Sequence, residues 1–288
     1  MVRRILKLYS GRFALVLLLF VAGLAVFGPF LAPYDPLEAV GPALSSYSTD
    51  YWLGTDYLGR DVLSRILAGS RVSVLGSVQV AVIGVVVGAV PGVLSVYLGR
   101  VFEWTTLRIV DTLIALPFLV FAVAVTALLG NGIQQAMFTV GIMVSPAFYR
   151  VARAATLSVA RSQYVEAALL NGATVGWIVR RHVWAKVLPP IAVTLANTMG
   201  IGFVVVSSLT FLGIGVQPPE PTWGGVLASD LDYLTYRPYA PLATIVLIMI
   251  TVWGFNLLAD VIRDVAGQSG RTLISSRNRS QKQTEQLA

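Results

Sequence analysis

There is no cysteine in the 288 residues and only one histidine, His182. The first absence excludes disulfides, thiolate-bound zinc and a thiol nucleophile, and the second excludes any metal site built from several imidazoles. Charge is scarce too. Asp, Glu, Lys and Arg make up 12% of the chain, about half the share a soluble domain carries. No GxxxxGKS/T loop occurs, so the chain has no Walker cradle for ATP. The long apolar runs contain almost no ionisable side chain, and Asp111 sits at the margin of one. Ion-driven transporters and pumps usually carry such a group near the bilayer midplane. A membrane enzyme needs a nucleophile–base pair or a metal cluster there. Neither is present. A passive channel survives these exclusions. A transporter driven by a separate ATPase fits them better.

Grease is what the chain has in quantity: 56% of residues are hydrophobic and mean hydropathy is +0.75. This is an all-α integral membrane protein with about six spans. The first runs from Phe13 to about Ala32, long enough to cross a bilayer and too long for a signal peptide. A polar, turn-rich loop follows, with Pro29, Pro33 and Pro36 at its start, and residues 61–71 read as a short amphipathic helix. The second span is 72–98. Its Gly84, Gly88 and Gly92 recur every four residues, which is either a seam that lets another helix approach or the ordinary glycine usage of membrane helices, and Pro91 should kink it. Gly130-Asn131-Gly132 splits the next apolar stretch into spans at 109–129 and 134–149, the former bent at Pro117. The fifth and sixth spans are 188–212 and 239–259, separated by a broken loop, 213–238.

This arrangement puts residues 1–12, 99–108, 150–186 and 260–288 on one side. They hold four, two, six and five basic residues, 17 in all, against Arg60, Arg65, Arg71 and Arg237 on the other. Basic loops stay inside, so both termini and 150–186 are expected in the cytoplasm. The same asymmetry accounts for the net charge of +7 without nucleic acid. Three regions result. Residues 1–70 form a cytoplasmic segment, the first span and an extracytoplasmic loop. Residues 71–266 form the main transmembrane domain with a cytoplasmic loop at 150–189. Residues 267–288 form a tail expected to be disordered.

Within that loop, Tyr164 to Pro190 stands out. Glu166, Ala167 and Ala168 favour helix, and Gly172 should end it. A second helix should carry Ile178 to His182 towards Leu188-Pro189. From the residues alone, a docking surface and a solvated loop with a glycine cap are equal readings.

Four stretches in order carry a resemblance to a family. Glu166-Ala167-Ala168, three residues, then Gly172 resembles the EAA loop of ABC importer permeases. Trp52 to Arg65 (WLGTDYLGRDVLSR), containing Gly54, Thr55, Asp56, Gly59, Arg60 and Asp61, resembles a signature of the dipeptide/oligopeptide/nickel subfamily. So do Leu209 to Pro219 with Gly213, Gly215, Pro218 and Pro219, leading to Trp223-Gly224, and Phe255 to Asp264 with Asn256 and Asp260. One departure is that Trp184-Ala185 stand where the family has Leu-Pro, although Leu188-Pro189 follow.

The resemblance implies the type I importer permease fold and a non-catalytic subunit. Such a subunit pairs with a second, homologous permease and forms half of a translocation path. Two ATPase subunits bind ATP and Mg, and an extracytoplasmic binding protein delivers the substrate. This chain would hold no cofactor or metal. Glu166 would contact an ATPase, Ala167 and Ala168 would allow close approach, and Gly172 would allow the turn. Di- or oligopeptides are the expected substrate, with nickel or another small solute as the alternative. Gln79, Asn131, Gln134, Asn197, Ser207, Ser208 and Asn256 are polar groups in or near spans, and they either line the path or bond helices together.

Overall fold

The computed structural model describes residues 2–130, 132–215 and 219–285, with side chains described from residue 4 as far as residue 267. Asn131, Gln217 and Pro218 lie outside the described residues, as do the side chains of nearly all of the tail expected to be disordered. Among the described residues the regular structure is helical, apart from one isolated bridge between Thr55 and Asp61. The helices are α1 Val2–Ile5, α2 Tyr9–Leu31, α3 Val62–Gly84, α4 Val90–Leu94, α5 Arg100–Ala115, α6 Phe118–Leu129, α7 Ile133–Ala160, α8 Gln163–Leu170, α9 Val175–Ile178, α10 Trp184–Phe211, α11 Trp223–Asp232 and α12 Ala240–Glu285. Two π-helical turns, Val85–Ala89 and Val179–Val183, join α3 to α4 and α9 to α10.

Among the described residues, four helical runs are long and apolar enough to cross a bilayer: Tyr9–Leu31, Val62–Leu94, Val175–Phe211 and Ala240–Gly267. The α5–α6 pair makes a fifth if its two limbs count as one span. They meet at 101°, at Pro117, which cannot donate a helical hydrogen bond. The fourth expected span lies in α7, which has 28 residues but is less apolar. Its position explains this. Helix α7 runs through the middle of the bundle against α3, α4, α6 and α10, with Thr139, Ser145 and Thr156 buried along it. A helix walled by protein need not be as greasy as one facing lipid.

Several boundaries differ from the sequence reading. The amphipathic segment 61–71 and the second span are one helix, because nothing between Arg71 and Val72 stops it. Asp61 caps its start, accepting from the Ser64 N–H at 2.8 Å and hydroxyl at 2.6 Å. The division at 70/71 therefore falls inside α3. A π-turn, Val85–Ala89, lies one turn before Pro91, and Pro91 itself sits in the first turn of α4, where its missing N–H costs least. The segment 99–108 is helical, as the first half of α5. Helix α7 continues past Arg150 to Ala160.

The glycine seam closes on α7. A methyl group on Gly88 would collide with the Ser145 carbonyl, one on Gly92 with that of Tyr149, and one on Gly84 with the Phe148 ring. Helices α2 and α3 approach as closely at Gly28, beside which Ser70 Oγ donates to the Leu24 carbonyl at 2.6 Å. The bundle thus has two ends. One carries α8 and α9. The other carries the loop 33–61 and α11.

Candidate functional site

At the first end, α8 and α9 form a small hairpin. Val165 and Ile178 are its inward residues, packed with Phe148, Val183 and Val187. Helix α8 ends in a Schellman turn: Gly172 N–H donates to the Leu169 carbonyl at 2.9 Å and Ala173 N–H to that of Ala168 at 3.0 Å. Gly172 has φ +80°, and a methyl group there would meet nothing within 4 Å. Its requirement is conformational, not steric. Thr174 Oγ1 accepts from the Trp177 N–H at 3.4 Å and opens α9. The lone histidine is held by aromatic edges, with the His182 ring 5.5 Å from Tyr164 and 5.2 Å from Trp177.

Glu166 and Ala167 are exposed and Ala168 is half-buried. Around them lie apolar side chains in the open: Tyr164, Leu169, Val175, Trp177 and, at 85% exposure, Leu170. Arg180 and Arg181 are exposed beside them. Sequence reasoning did not single out Leu170 or Trp177. The available signal was that large apolar residues stand in a loop otherwise read as polar.

At the second end, the Trp52–Arg65 stretch folds into a buried polar knot. Asp56 Oδ2 lies 2.7 Å from both Nε and Nη2 of Arg60 and 3.5 Å from Nε of Arg65. Its Oδ1 accepts from the Leu58 and Arg60 N–H groups at 2.9 Å. Thr55 Oγ1 donates to the Pro42 carbonyl and accepts from Ser45 N–H. Gly54 and Gly59 supply the turns, at φ +73° and +79°. Arg237, from the loop before α12, donates to the carbonyls of Leu53 and Thr55. Arg65 Nη1 reaches the carbonyls of Pro36 and Pro219.

Trp223-Gly224 docks α11 beside this knot. Trp223 is fully buried; its N–H donates to Ser73 Oγ at 3.0 Å and its indole Nε1 to the Ile66 carbonyl at 2.9 Å. Gly224 lies so close to the Ser207 carbonyl that any side chain would clash. Gly213, at φ +72°, ends α10 in a second Schellman turn, with Ile214 N–H donating to the Leu209 carbonyl at 2.9 Å. Gly215 is also left-handed, at φ +86°.

Asn256 and Asp260 belong to neither end. Both are on α12, Asn256 against Gly200 and Asp260 paired with Arg263 at 2.8 Å. Gln79 donates to the Gln134 carbonyl, bonding α3 to α7, and Ser208 bonds within its own helix.

One carboxylate beside the knot is unusual. Asp230 is 5% exposed, and its Oδ2 has no hydrogen-bond partner among the described residues. Burial pushes its carboxyl up to about 6, with Arg237 and Arg65 pulling down and Asp56 pushing up. Among the described residues no three His, Cys, Asp or Glu side chains come together to hold a metal.

The chain matches the family described as "Binding-protein-dependent transport system inner membrane component" over residues 61–269. It is 33% identical over 269 residues to the glutathione transport system permease protein GsiD of Pectobacterium atrosepticum, covering 91% of this chain and 88% of that one. The protein of the same name from Escherichia coli O1:K1 is 33% identical, with 91% and 87% covered. Among solved structures, an inward-facing form of the MetNI methionine ABC transporter superposes with a TM-score of 0.57. It is 21% identical and covers 71% of this chain and 96% of that one, a likeness of fold.

Proposed function

The chain belongs to the binding-protein-dependent transport system inner membrane component family, and on that premise we propose that it couples an ATPase to peptide uptake through the α8–α9 hairpin. It is the permease subunit of an ABC importer, a membrane protein whose relatives are transport permeases rather than enzymes. It works with ATPase and binding-protein partners. In this reading the ATPase subunits bind ATP and Mg, and a second, homologous permease completes the path. Both termini lie in the cytoplasm, in keeping with 17 basic residues on that side against four on the other. Peptides of the glutathione class are the substrate, since relatives at 33% identity are glutathione permeases. Nickel or another small solute is the alternative.

The observation that carries the coupling role is the hairpin's surface. The α8–α9 hairpin, pinned by Val165 and Ile178, presents Glu166, Ala167, Leu170 and Trp177 outward, next to Arg180 and Arg181. Apolar anchors with a charged rim are what a protein partner buries. Glu166 supplies a charge for the partner, Ala167 and Ala168 keep the surface shallow, and Gly172 turns the chain between the two helices.

The test is Glu166→Lys and Gly172→Val in the assembled transporter. Removing one partner of an interfacial charge pair costs about 2–5 kcal/mol, and valine resists the left-handed backbone that Gly172 adopts. Neither residue is in the core, so expression should be normal while ATPase association weakens and uptake falls. Assembly and uptake at wild-type rates in both variants would reduce the hairpin to a solvated loop. Solute flux through the purified chain alone, without ATP, would favour a channel.

A further inference from the structure

Between the Asp56 knot and α11 lies a cavity of about 330 Å³, within the range of small-molecule sites. Its walls are chemically distinct. One holds the guanidinium groups of Arg60 and Arg65, whose side chains are only 4% and 7% exposed. A second is aromatic: the rings of Tyr57 and Tyr233 stack at 5.3 Å and 10°, and Arg60 lies over the Tyr57 face at 5.6 Å. The third is acidic, with Glu220 and Asp232 exposed at the rim. Ser229 also faces the cavity, and its buried Oγ has no partner among the described residues.

Arg60 and Arg65 share one oxygen of Asp56, at 2.7 and 3.5 Å. Among the described residues Asp230 makes no ion pair with either, and its own ionisation is opposed by burial. The cavity wall thus presents two guanidinium groups that touch a single carboxylate directly, and an added anion is bound best through guanidinium forks of this kind. Glu220 and Asp232 have no ion-pair partner among the described residues and are placed to receive a cation.

We propose that this cavity binds a short peptide by its two termini, the α-carboxylate towards Arg60 and Arg65 and the α-ammonium towards Glu220 and Asp232. The peptide backbone lies against the Tyr57–Tyr233 stack, and Ser229 Oγ hydrogen-bonds to it. Recognition of the termini with the side chains left free suits a carrier of varied sequences. The assignment to peptides rests on the importer reading above; the receptor for a zwitterion rests on the cavity.

The test is equilibrium binding, without ATP, to the full chain assembled with its partner subunits in nanodiscs. The probes are triglycine, triglycinamide and N-acetyltriglycine. Triglycine should bind saturably, and each blocked analogue should bind at least about tenfold more weakly, as loss of a charged hydrogen bond implies. In a Glu220→Gln/Asp232→Asn variant, both at exposed rim positions, the penalty for N-acetylation should vanish while that for amidation persists. Equal affinity for all three probes, or the same N-acetyl penalty in the variant, overturns the proposal. Uptake of peptide without this discrimination removes the site and leaves the importer reading standing. Discrimination without peptide uptake leaves the receptor and removes the peptide-importer reading.

Discussion

Burial lifts the Asp230 carboxyl from 3.8 to about 6, and the direction of its effect on stability follows. The folded state holds this proton more tightly than the unfolded chain, so the ionised side chain is a cost above pH 6 that disappears as the pH falls towards 4. A shift of this size corresponds to about 3 kcal/mol. Asp230→Asn should therefore raise the thermal unfolding midpoint at neutral pH, and the gap from wild type should close between pH 6 and pH 4. A gap independent of pH would mean that Asp230 is not titrating. Nothing in the sequence marked Asp230, because desolvation depends on neighbours from distant segments. The signature residues were more legible, though not their reasons. Gly54, Gly59, Gly213 and Gly215 occupy left-handed turns, and Trp223 is a buried anchor with two hydrogen bonds. Several residues that identify the family thus hold the fold together.

Where a helix was fixed by local pattern, the sequence reading located it; where neighbours decided, it did not. The four-residue glycine spacing allowed a close helix approach or ordinary glycine usage equally, and the contacts with α7 decide for the first. The α8 turn at Gly172 was likewise legible, since a glycine after a helix-favouring run is a local signal. The joined α3, the extension of α7 to Ala160 and the π-turn at Val85–Ala89 were not, because hydropathy marks where lipid contact ends and not where hydrogen bonding does. The seam gives a test at this scale. Gly88→Leu would force α3–α4 away from the Ser145 carbonyl, and overpacking of this kind costs about 1–3 kcal/mol or more. Lower yield of folded protein and a reduced melting temperature are expected. Gly176→Leu is the control: a methyl group there meets nothing within 4 Å, so its melting temperature should change little. Equal melting of the two variants would show that the seam bears no packing.

The orientation of the whole molecule is testable by single-cysteine labelling, since the natural chain has no cysteine to interfere. Ser46→Cys should react with an impermeant reagent from outside the cell, and Ser158→Cys only after permeabilisation; the reverse pattern would invert the topology. A mechanical property of the bundle then follows from the run Val175–Phe211. It is a single rod of 37 residues, roughly 55 Å long at 1.5 Å per residue. Trp177 stands near one tip, and Phe211, in the cavity wall, is the other. The rod carries a natural fulcrum at Pro189-Pro190, inside α10, where backbone bonding is weakest. Phe211 lies about 32 Å beyond that fulcrum, so a tilt of about 5° there moves the tip through roughly 3 Å. A lever of these proportions would pass a small push at the hairpin to the cavity wall at the opposite end of the bundle, with its longer arm on the cavity side.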